Sequence, residues 1–362
     1  MRVQVFLAFL LAVALPGLAQ TADNSAPGLP DDPGRVLARV VPSYDYSTLK
    51  PWHLKATYQL FDDAGKPTEQ GNYELWWASN EVYRSSWTRG SATYTEWHTA
   101  DGKVAYVGRS GEFNYFEHKL EPAYRSPLTS AGELDPARFR LNGDPLTAPK
   151  SIVSCYITVP VASKDDPASK PTLGLFPTYC INTKLEILLG IYSLGTHVVK
   201  FNDFTQIEGK YLGRGVYFRE GVHDILTAQV NEISELSPSD PALKPPQEAT
   251  AVRIDRVRIG ADIAESLLIK KVAPVYPQEA KDAHIQGEVI LQATIGIDGG
   301  VRDLQLLSAP TASGPPSASA ALSQLVSSAF WCVSQWQYKP YLRNGEPVEV
   351  ETTVAVPYSL GQ

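Results

Sequence analysis

The sequence predicts an α+β protein in which a β-rich N-terminal domain is followed by a small α/β domain. Three observations lead to this prediction. Alternating apolar and polar residues, interrupted by turn residues, recur between Pro51 and Leu236, as expected for antiparallel strands. A proline-rich stretch follows at residues 237–250 and reads as the domain linker. Beyond it, two helical patterns alternate with three strand patterns. The 362 residues are enough for two such domains.

The N-terminus has the pattern of an export signal over residues 1–19. Arg2 precedes the apolar run Phe6–Leu15, and small residues lead up to Ala19, where cleavage is expected. An uncleaved membrane anchor is the alternative, although the apolar run is short for a span. Residues 20–37 are rich in Pro, Gly and Asp and are expected to form a flexible leader. The chain is therefore expected to be exported, or to stay anchored in the membrane if the signal is not cleaved.

The N-terminal domain is expected to span residues 38–236 and to contain a curved antiparallel sheet. Trp52–Phe61 alternates in polarity, and Asp101-Gly102 favours a hairpin because glycine takes the positive φ that a tight turn needs. A short helix is expected near Asp135–Arg140. Lys184–Tyr192 fits either a helix or a strand.

The chain has 3 cysteines. Cys155 and Cys180 lie in the same domain of an exported chain and are expected to form a disulfide. Cys332 falls on the apolar stripe of a predicted helix. We therefore expect it to be a small core residue and not a reactive thiol.

Residues 251–362 are predicted to form the second domain, with two helices on one face of a three-stranded antiparallel sheet. Ala251–Ile259 is expected to be a strand that leads into it. Asp298-Gly299 supplies the tight turn between the first two strands. Apolar residues at steps of three and four indicate the longer helix, which cannot continue past Pro340. The elements in chain order are the helix Gln278–His284, the strands Gly287–Ile297 and Val301–Leu307, the helix Ser317–Trp336 and the strand Val348–Tyr358.

Spaced sequence motifs accompany these elements over about residues 268–358. The residues that carry them are Tyr276, Pro277, Gly287, Asp298, Gly299, Trp336, Tyr338, Pro340, Gly345 and Pro347. Their order and spacing resemble those of the C-terminal domain of the TonB family. The resemblance implies a domain that binds an extended segment of an outer-membrane TonB-dependent receptor by adding it as a strand to an open sheet edge. It also implies the periplasm of a Gram-negative-type envelope as the location, with an inner-membrane anchor if the signal is not cleaved.

The last strand is the candidate edge. It is long and alternating, with prolines at both ends, and Glu349 and Glu351 favour a basic or neutral partner. The alternatives are that this strand is covered by the chain itself or pairs with a second copy in a homodimer. The candidate partner-binding residues are Val348, Glu349, Val350, Glu351, Thr352, Thr353, Val354, Ala355 and Val356.

The rhythm of strands over Ala38–Leu236 resembles lipoprotein-carrier folds of the LolA and LppX kind. That resemblance implies a sheet wrapped around an apolar cavity, and hence a lipid or acyl ligand. Two functions follow as hypotheses. One is TonB-type coupling or adaptor work at the outer membrane, and the other is periplasmic carriage of a lipid or lipoprotein.

Composition and motifs argue against other classes. The net charge of -7 disfavours nucleic acid as a partner. The 6 histidines do not have zinc-site spacing, and no cofactor or metal is expected. Glu96 with His98, and Glu117 with His118, are the nearest approach to an acid–base or metal cluster. No nucleophile elbow or phosphate loop occurs, so we expect no enzyme activity.

Overall fold

The computed structural model describes residues 33–128, 139–143, 152–160, 174–253, 255–311 and 316–360. Within them, thirteen strands form one sheet in which all neighbours are antiparallel. The strands are β1 (Trp52–Phe61), β2 (Pro67–Trp77), β3 (Tyr83–Arg89), β4 (Ala92–His98), β5 (Lys103–Gly108), β6 (Phe139–Gly143), β7 (Val153–Pro160), β8 (Thr178–Asn182), β9 (Ile187–Ser193), β10 (His197–Ile207), β11 (Lys210–Glu220), β12 (His223–Glu235) and β13 (Thr250–Arg253). Their spatial order is β13-β5-β4-β3-β2-β1-β12-β11-β10-β9-β8-β7-β6.

Strand β1 joins the two halves of this sheet, because it pairs with β2 on one side and with β12 on the other. Its alternating residues put one face into the core, as the sequence pattern predicts. The buried residues of β1 are Trp52, Leu54, Ala56, Tyr58 and Leu60. Cys155 and Cys180, the pair expected to form a bridge, are directly opposite each other on β7 and β8 and are joined by a disulfide.

The described residues of the same region also contain three α-helices: α1 (Pro33–Val40), α2 (Tyr115–His118) and α3 (Leu120–Arg125). Helix α2 begins with a capping box, in which Asn114 accepts from the N–H of Glu117 and the Glu117 carboxylate accepts from the N–H of Asn114. The same buried carboxylate accepts from the Tyr58 hydroxyl at 2.7 Å and from Arg89 Nε at 2.8 Å. Glu117 therefore fixes the helix to the sheet.

A second sheet is formed by the C-terminal module, which we define as residues 255–360. The elements of the module, in chain order, are β14 (Arg256–Arg258), α4 (Ala261–Leu267), β15 (Leu268–Lys270), α5 (Gln278–Asp282), β16 (Gly287–Ile295), β17 (Val301–Ser308), α6 (Pro316–Val333), β18 (Gln337–Tyr338), β19 (Leu342–Arg343), β20 (Glu346–Pro347) and β21 (Glu349–Tyr358). The four strands of the second sheet have the order β14-β21-β16-β17.

The α+β class is confirmed, but the small sheet differs from the prediction in one respect. Three antiparallel strands were expected, and β17, β16 and β21 supply them. The fourth, β14, pairs in parallel with β21. The segment Ala251–Ile259, expected to be one strand, divides between the two sheets because β13 pairs with β5 and β14 with β21.

Two further segments of the N-terminal region differ from the elements predicted for them or are only partly described. Lys184–Tyr192 is neither all helix nor all strand: its second part belongs to β9. Most of the helix expected at Asp135–Arg140 lies outside the described residues, and Phe139 already begins β6. No helix in the described residues is long and apolar enough to cross a membrane.

The two sheets share one hydrophobic core, and the described residues form one compact unit. Phe330 of α6 is fully buried and its ring lies 5.4 Å from Tyr115, 6.2 Å from Phe116 and 4.6 Å from His197. The proline-rich stretch before the module also packs on the large sheet, since Trp97 donates to the carbonyl of Ala242 at 2.8 Å.

Candidate functional site

The predicted edge strand, β21, has β16 on one side from Val350 to Tyr358. On the other side, the N–H of Ile259 donates to the carbonyl of Glu351 at 3.0 Å. Backbone groups of alternate residues point to the same side of a strand. Those of Thr353 and Ala355 therefore also point away from β16, and no strand of the described residues pairs with them there.

The side chains of β21 alternate as predicted. The buried ones include Val350 and Thr352, and Val348 just before the strand is buried as well. Thr353, Ala355 and Pro357 are exposed. An added strand would thus find backbone partners at an exposed line of small side chains.

The first part of the predicted partner-binding segment is already paired. Strand β14 lies beside it, with Val257 opposite Val350. Arg256 contacts Glu349 at 3.2 Å, and Arg258 Nε lies 2.7 Å from the Glu351 carboxylate. Because the two arginines are 57% and 78% exposed, each ion pair contributes only about 0–1 kcal/mol. A partner can occupy Glu349–Glu351 only if β14 leaves.

Helix α4 follows β14 and lies beside the later part of the edge. A cavity of about 150 Å³ separates them, with Ala261, Ala264 and Leu268 on one side and Thr353 and Ala355 on the other. The floor of this cavity includes Trp336 and Tyr338, two of the motif residues.

The motif residues have structural roles around this edge. Gly299 has φ +82°, and a Cβ there would lie 1.9 Å from the carbonyl oxygen of Tyr338. The close approach allows Tyr338 to donate from its N–H to Gly299 at 2.9 Å. Trp336 donates from its indole to Val272 at 2.9 Å. The Tyr276 hydroxyl donates to the carbonyl of Ile285 at 2.5 Å. The polar groups of these aromatic residues therefore hold neighbouring loops in place.

The remaining motif residues shape the ends of elements. Pro277 is the N-cap of α5, and Gly287 begins β16 with φ +134°. Asn344-Gly345 forms the positive-φ turn between β19 and β20, and Pro347 ends β20. Pro340 follows β18 and comes after the end of α6.

Asp298 of the same motif reaches into the N-terminal region. It accepts from the Ser110 hydroxyl and lies 2.7 Å from Arg302. Burial would raise the pKa of Asp298, but Arg302 and the hydrogen bond from Ser110 outweigh it and lower the pKa. The carboxylate therefore stays charged, and the hairpin turn of the module is tied to residue 110.

The histidine and glutamate pairs singled out from the sequence do not meet as a metal site. No cluster of three or more potential metal ligands occurs among the residues that the structure describes. Glu96 and His98 contact each other at 3.2 Å in a mixed-charge cavity of about 770 Å³. His118 lines the same cavity, and burial together with Arg302 lowers its pKa to about 3. Glu117 is used by the capping box.

A more apolar cleft of about 530 Å³ lies where the large sheet meets the module. Its walls include Phe61 and Ile225 on the sheet side and Val272, Val275 and Trp331 on the module side. Trp52, Trp77 and Trp87 of the large sheet are buried in the core.

Sequence reasoning missed the residues that cover the edge. Arg256 and Arg258 flank Val257, so both arginines lie on the same face of a strand. Their spacing matches that of Glu349 and Glu351 on the neighbouring strand, and this pattern could have indicated the pairing. The contacts of Ser110 with Asp298 had no such signal, because residues this far apart in the chain carry no local pattern.

Residues 272–360 match the family described as Gram-negative bacterial TonB protein C-terminal. The C-terminal module is TonB-like. This confirms the resemblance that the motifs carry, over a quarter of the chain. No curated protein matches the sequence.

Solved structures resemble the N-terminal region. One is a LolA superfamily protein from Nitrosomonas europaea, with a TM-score of 0.35 and 7% identity over 57% of this chain and 96% of that one. Another is a putative outer membrane lipoprotein-sorting protein domain from Vibrio parahaemolyticus, with a TM-score of 0.35 and 7% identity over 57% and 93%. A DUF1329 family protein from Desulfovibrio piger has a TM-score of 0.35 and 11% identity over 59% and 100%.

Proposed function

We propose that this protein works in the envelope of a Gram-negative-type cell and binds outer-membrane TonB-dependent receptors by strand addition at β21. It would do so in energy-coupled transport or as an adaptor. Cleavage of residues 1–19 would place it in the periplasm, and retention of that segment would anchor it in the inner membrane. We propose no catalytic role.

Two observations support this proposal. The first is the family match at residues 272–360. The second, which carries the argument, is the outer side of β21, where the backbone groups of Thr353 and Ala355 have no strand partner in the described residues. Strand addition uses such groups for affinity and neighbouring side-chain pockets for selectivity.

A proline at Ala355 tests the edge. Ala355→Pro removes an outward N–H and leaves the N–H groups that face β16 in place, and proline is tolerated at such edge positions. We expect at least a tenfold loss of affinity for synthetic peptides from the N-terminal plug segments of the cell's own TonB-dependent receptors, measured by titration calorimetry.

Ala355→Val is the matched control, because it keeps the N–H and should bind within about twofold of the wild type. Circular dichroism establishes that both variants are folded. Equal binding by Ala355→Pro would exclude this edge, and binding of no receptor peptide by the wild type would refute the proposed function.

Carriage of a lipid or acyl chain is the second candidate, and one observation favours it. The cleft bounded by Phe61, Ile225 and Trp331 is largely apolar and large enough, at about 530 Å³, for part of an acyl chain. Native mass spectrometry of the full chain purified from membranes tests this idea. A copurifying lipid that is lost in Trp331→Glu is the expected result, and a lipid-free protein would rule it out.

A further inference from the structure

Residues 255–267, which we call the strap, cover the outer side of β21. We propose that the strap is a built-in occupant of the partner-binding edge, and that a receptor segment binds by displacing it. The identity of the partner rests on the function proposed above. The competition between the strap and an incoming strand does not, and it can be tested separately.

The strap and the predicted partner occupy the same positions. Strand β14 pairs with Glu349–Glu351, and the next ladder bond runs from Ile259 to Glu351. The Thr352 hydroxyl then donates to the carbonyl of Ile259 at 3.2 Å. Helix α4 continues alongside Thr353–Ala355. The strap therefore lies beside most of the segment that is expected to bind a partner.

The strap is held much less firmly than the other neighbour of β21. Strand β16 pairs with β21 through nine residue pairs, whereas β14 contributes three. Of the seven residues in α4, all of which the structure describes, Ala264 alone is buried. Ile263 is 43% exposed, and Gly260 provides no side-chain cap for the helix. The helix beside this edge is thus held by few buried side chains.

Both ends of the strap are fixed elsewhere. On one side, β13 pairs with β5 in the large sheet. On the other, Leu268 pairs with Tyr338 in the β15–β18 pair. Release would therefore be local, opening a short loop between two anchored strands without unfolding the module. Such an arrangement allows the strap to return when the partner leaves.

A proline in β14 weakens the strap selectively. Ile259 directs its N–H toward β21, so the N–H of Val257, two residues earlier, also faces β21. Val257→Pro removes that donor. Arg258→Pro is the matched control, because the N–H of Arg258 faces away from β21 and proline is tolerated there. The double variant Arg256→Glu/Arg258→Glu weakens the strap by repulsion from Glu349 and Glu351, without a change to the backbone.

The readouts are amide hydrogen exchange at Glu351 and binding of a synthetic peptide with the sequence of residues 255–261, followed by NMR. We expect Val257→Pro and the charge-reversed variant to exchange at least tenfold faster at Glu351 than the wild type. We also expect them to bind the peptide at least tenfold more tightly. Arg258→Pro also removes the exposed ion pair with Glu351, which contributes only about 0–1 kcal/mol, so this control should stay within about fivefold of the wild type in both measurements.

Unchanged exchange in Val257→Pro and in the charge-reversed variant, or failure of the peptide to bind either one, would overturn the inference. Receptor plug peptides are then titrated against the same proteins. Tighter binding to Val257→Pro than to Arg258→Pro extends the inference to the receptor, and equal binding refutes displacement as the route. If no receptor peptide binds any variant while the strap peptide does, the proposed function is refuted, but the inference that the strap reversibly covers the edge is supported.

Discussion

Glu220 lies at the end of β11 and connects the large sheet to α6. Its carboxylate accepts from the hydroxyls of Thr196 and Ser327 and lies 3.1 Å from His197 Nδ1. Burial would raise the pKa of Glu220, but the hydrogen bonds from His197, Ser327 and Thr196 outweigh it, so the pKa lies below its usual value. The charged form is thus the one that the folded protein prefers.

A pH dependence follows from this sign. A carboxyl whose pKa is lower in the folded than in the unfolded chain stabilises the fold above its unfolded value of about 4.3, and this stabilisation is lost as the pH falls through the folded value. We expect Glu220→Gln to lower the urea midpoint at pH 7. The difference from the wild type should shrink below about pH 4, and a constant difference would contradict the assignment.

Gly195 shows how closely α6 approaches the sheet. A Cβ at this position would lie 2.1 Å from the carbonyl oxygen of Ser323. Gly209 has a similar positive φ, +82° compared with +91°, but has no atom within 4 Å of the corresponding Cβ. Replacing each glycine in turn therefore distinguishes the cost of backbone strain, which both positions share, from the cost of steric overlap, which only Gly195 would show.

We expect Gly195→Ala to lower the free energy of unfolding by about 1–3 kcal/mol more than Gly209→Ala does. Both replacements place a Cβ at a positive φ, so the excess measures the contact with α6. Urea unfolding monitored by tryptophan fluorescence provides the comparison. Equal losses would show that the helix can move away at no cost.

At the scale of elements, the sequence predicted most of the module and less of its surroundings. Helix α5, strands β16 and β17, helix α6 and strand β21 appear close to the expected positions because each has a strong local pattern. The strap was not predicted. Ala251–Ile259 reads as one strand in the sequence, and only the pairing with two distant partners, β5 and β21, divides it between the two sheets.

Phe330 tests how much α6 contributes to the common core. Truncating a fully buried phenylalanine costs about 3–5 kcal/mol. We expect Phe330→Ala to lose that much in urea unfolding, and Ile263→Ala, at a 43% exposed position of the strap, to stay within about 0.5 kcal/mol of the wild type. A loss below about 1 kcal/mol in Phe330→Ala would mean that the ring contacts with Tyr115 and His197 are dispensable.

On the scale of the whole molecule, the two regions predicted as separate domains share a core and several polar contacts. The sequence could not reveal this, because Asp298, Ser110 and Glu220 each look like ordinary surface residues in their local context. The division at residues 237–250 therefore stays a prediction about the chain, as do the signal at residues 1–19 and a homodimer. The described residues of that stretch pack against β3 and β4 and do not form an extended spacer.

Strands β13 and β14 belong to different sheets, yet only two residues stand between Arg253 and Arg256. Fully stretched, that connection reaches roughly 11 Å. If an incoming strand displaces the strap, the residues of β14 and α4 are added to this link. The covalent tether between β13 and the remainder of the module would then be several times longer when a receptor segment is bound than when the strap is in place.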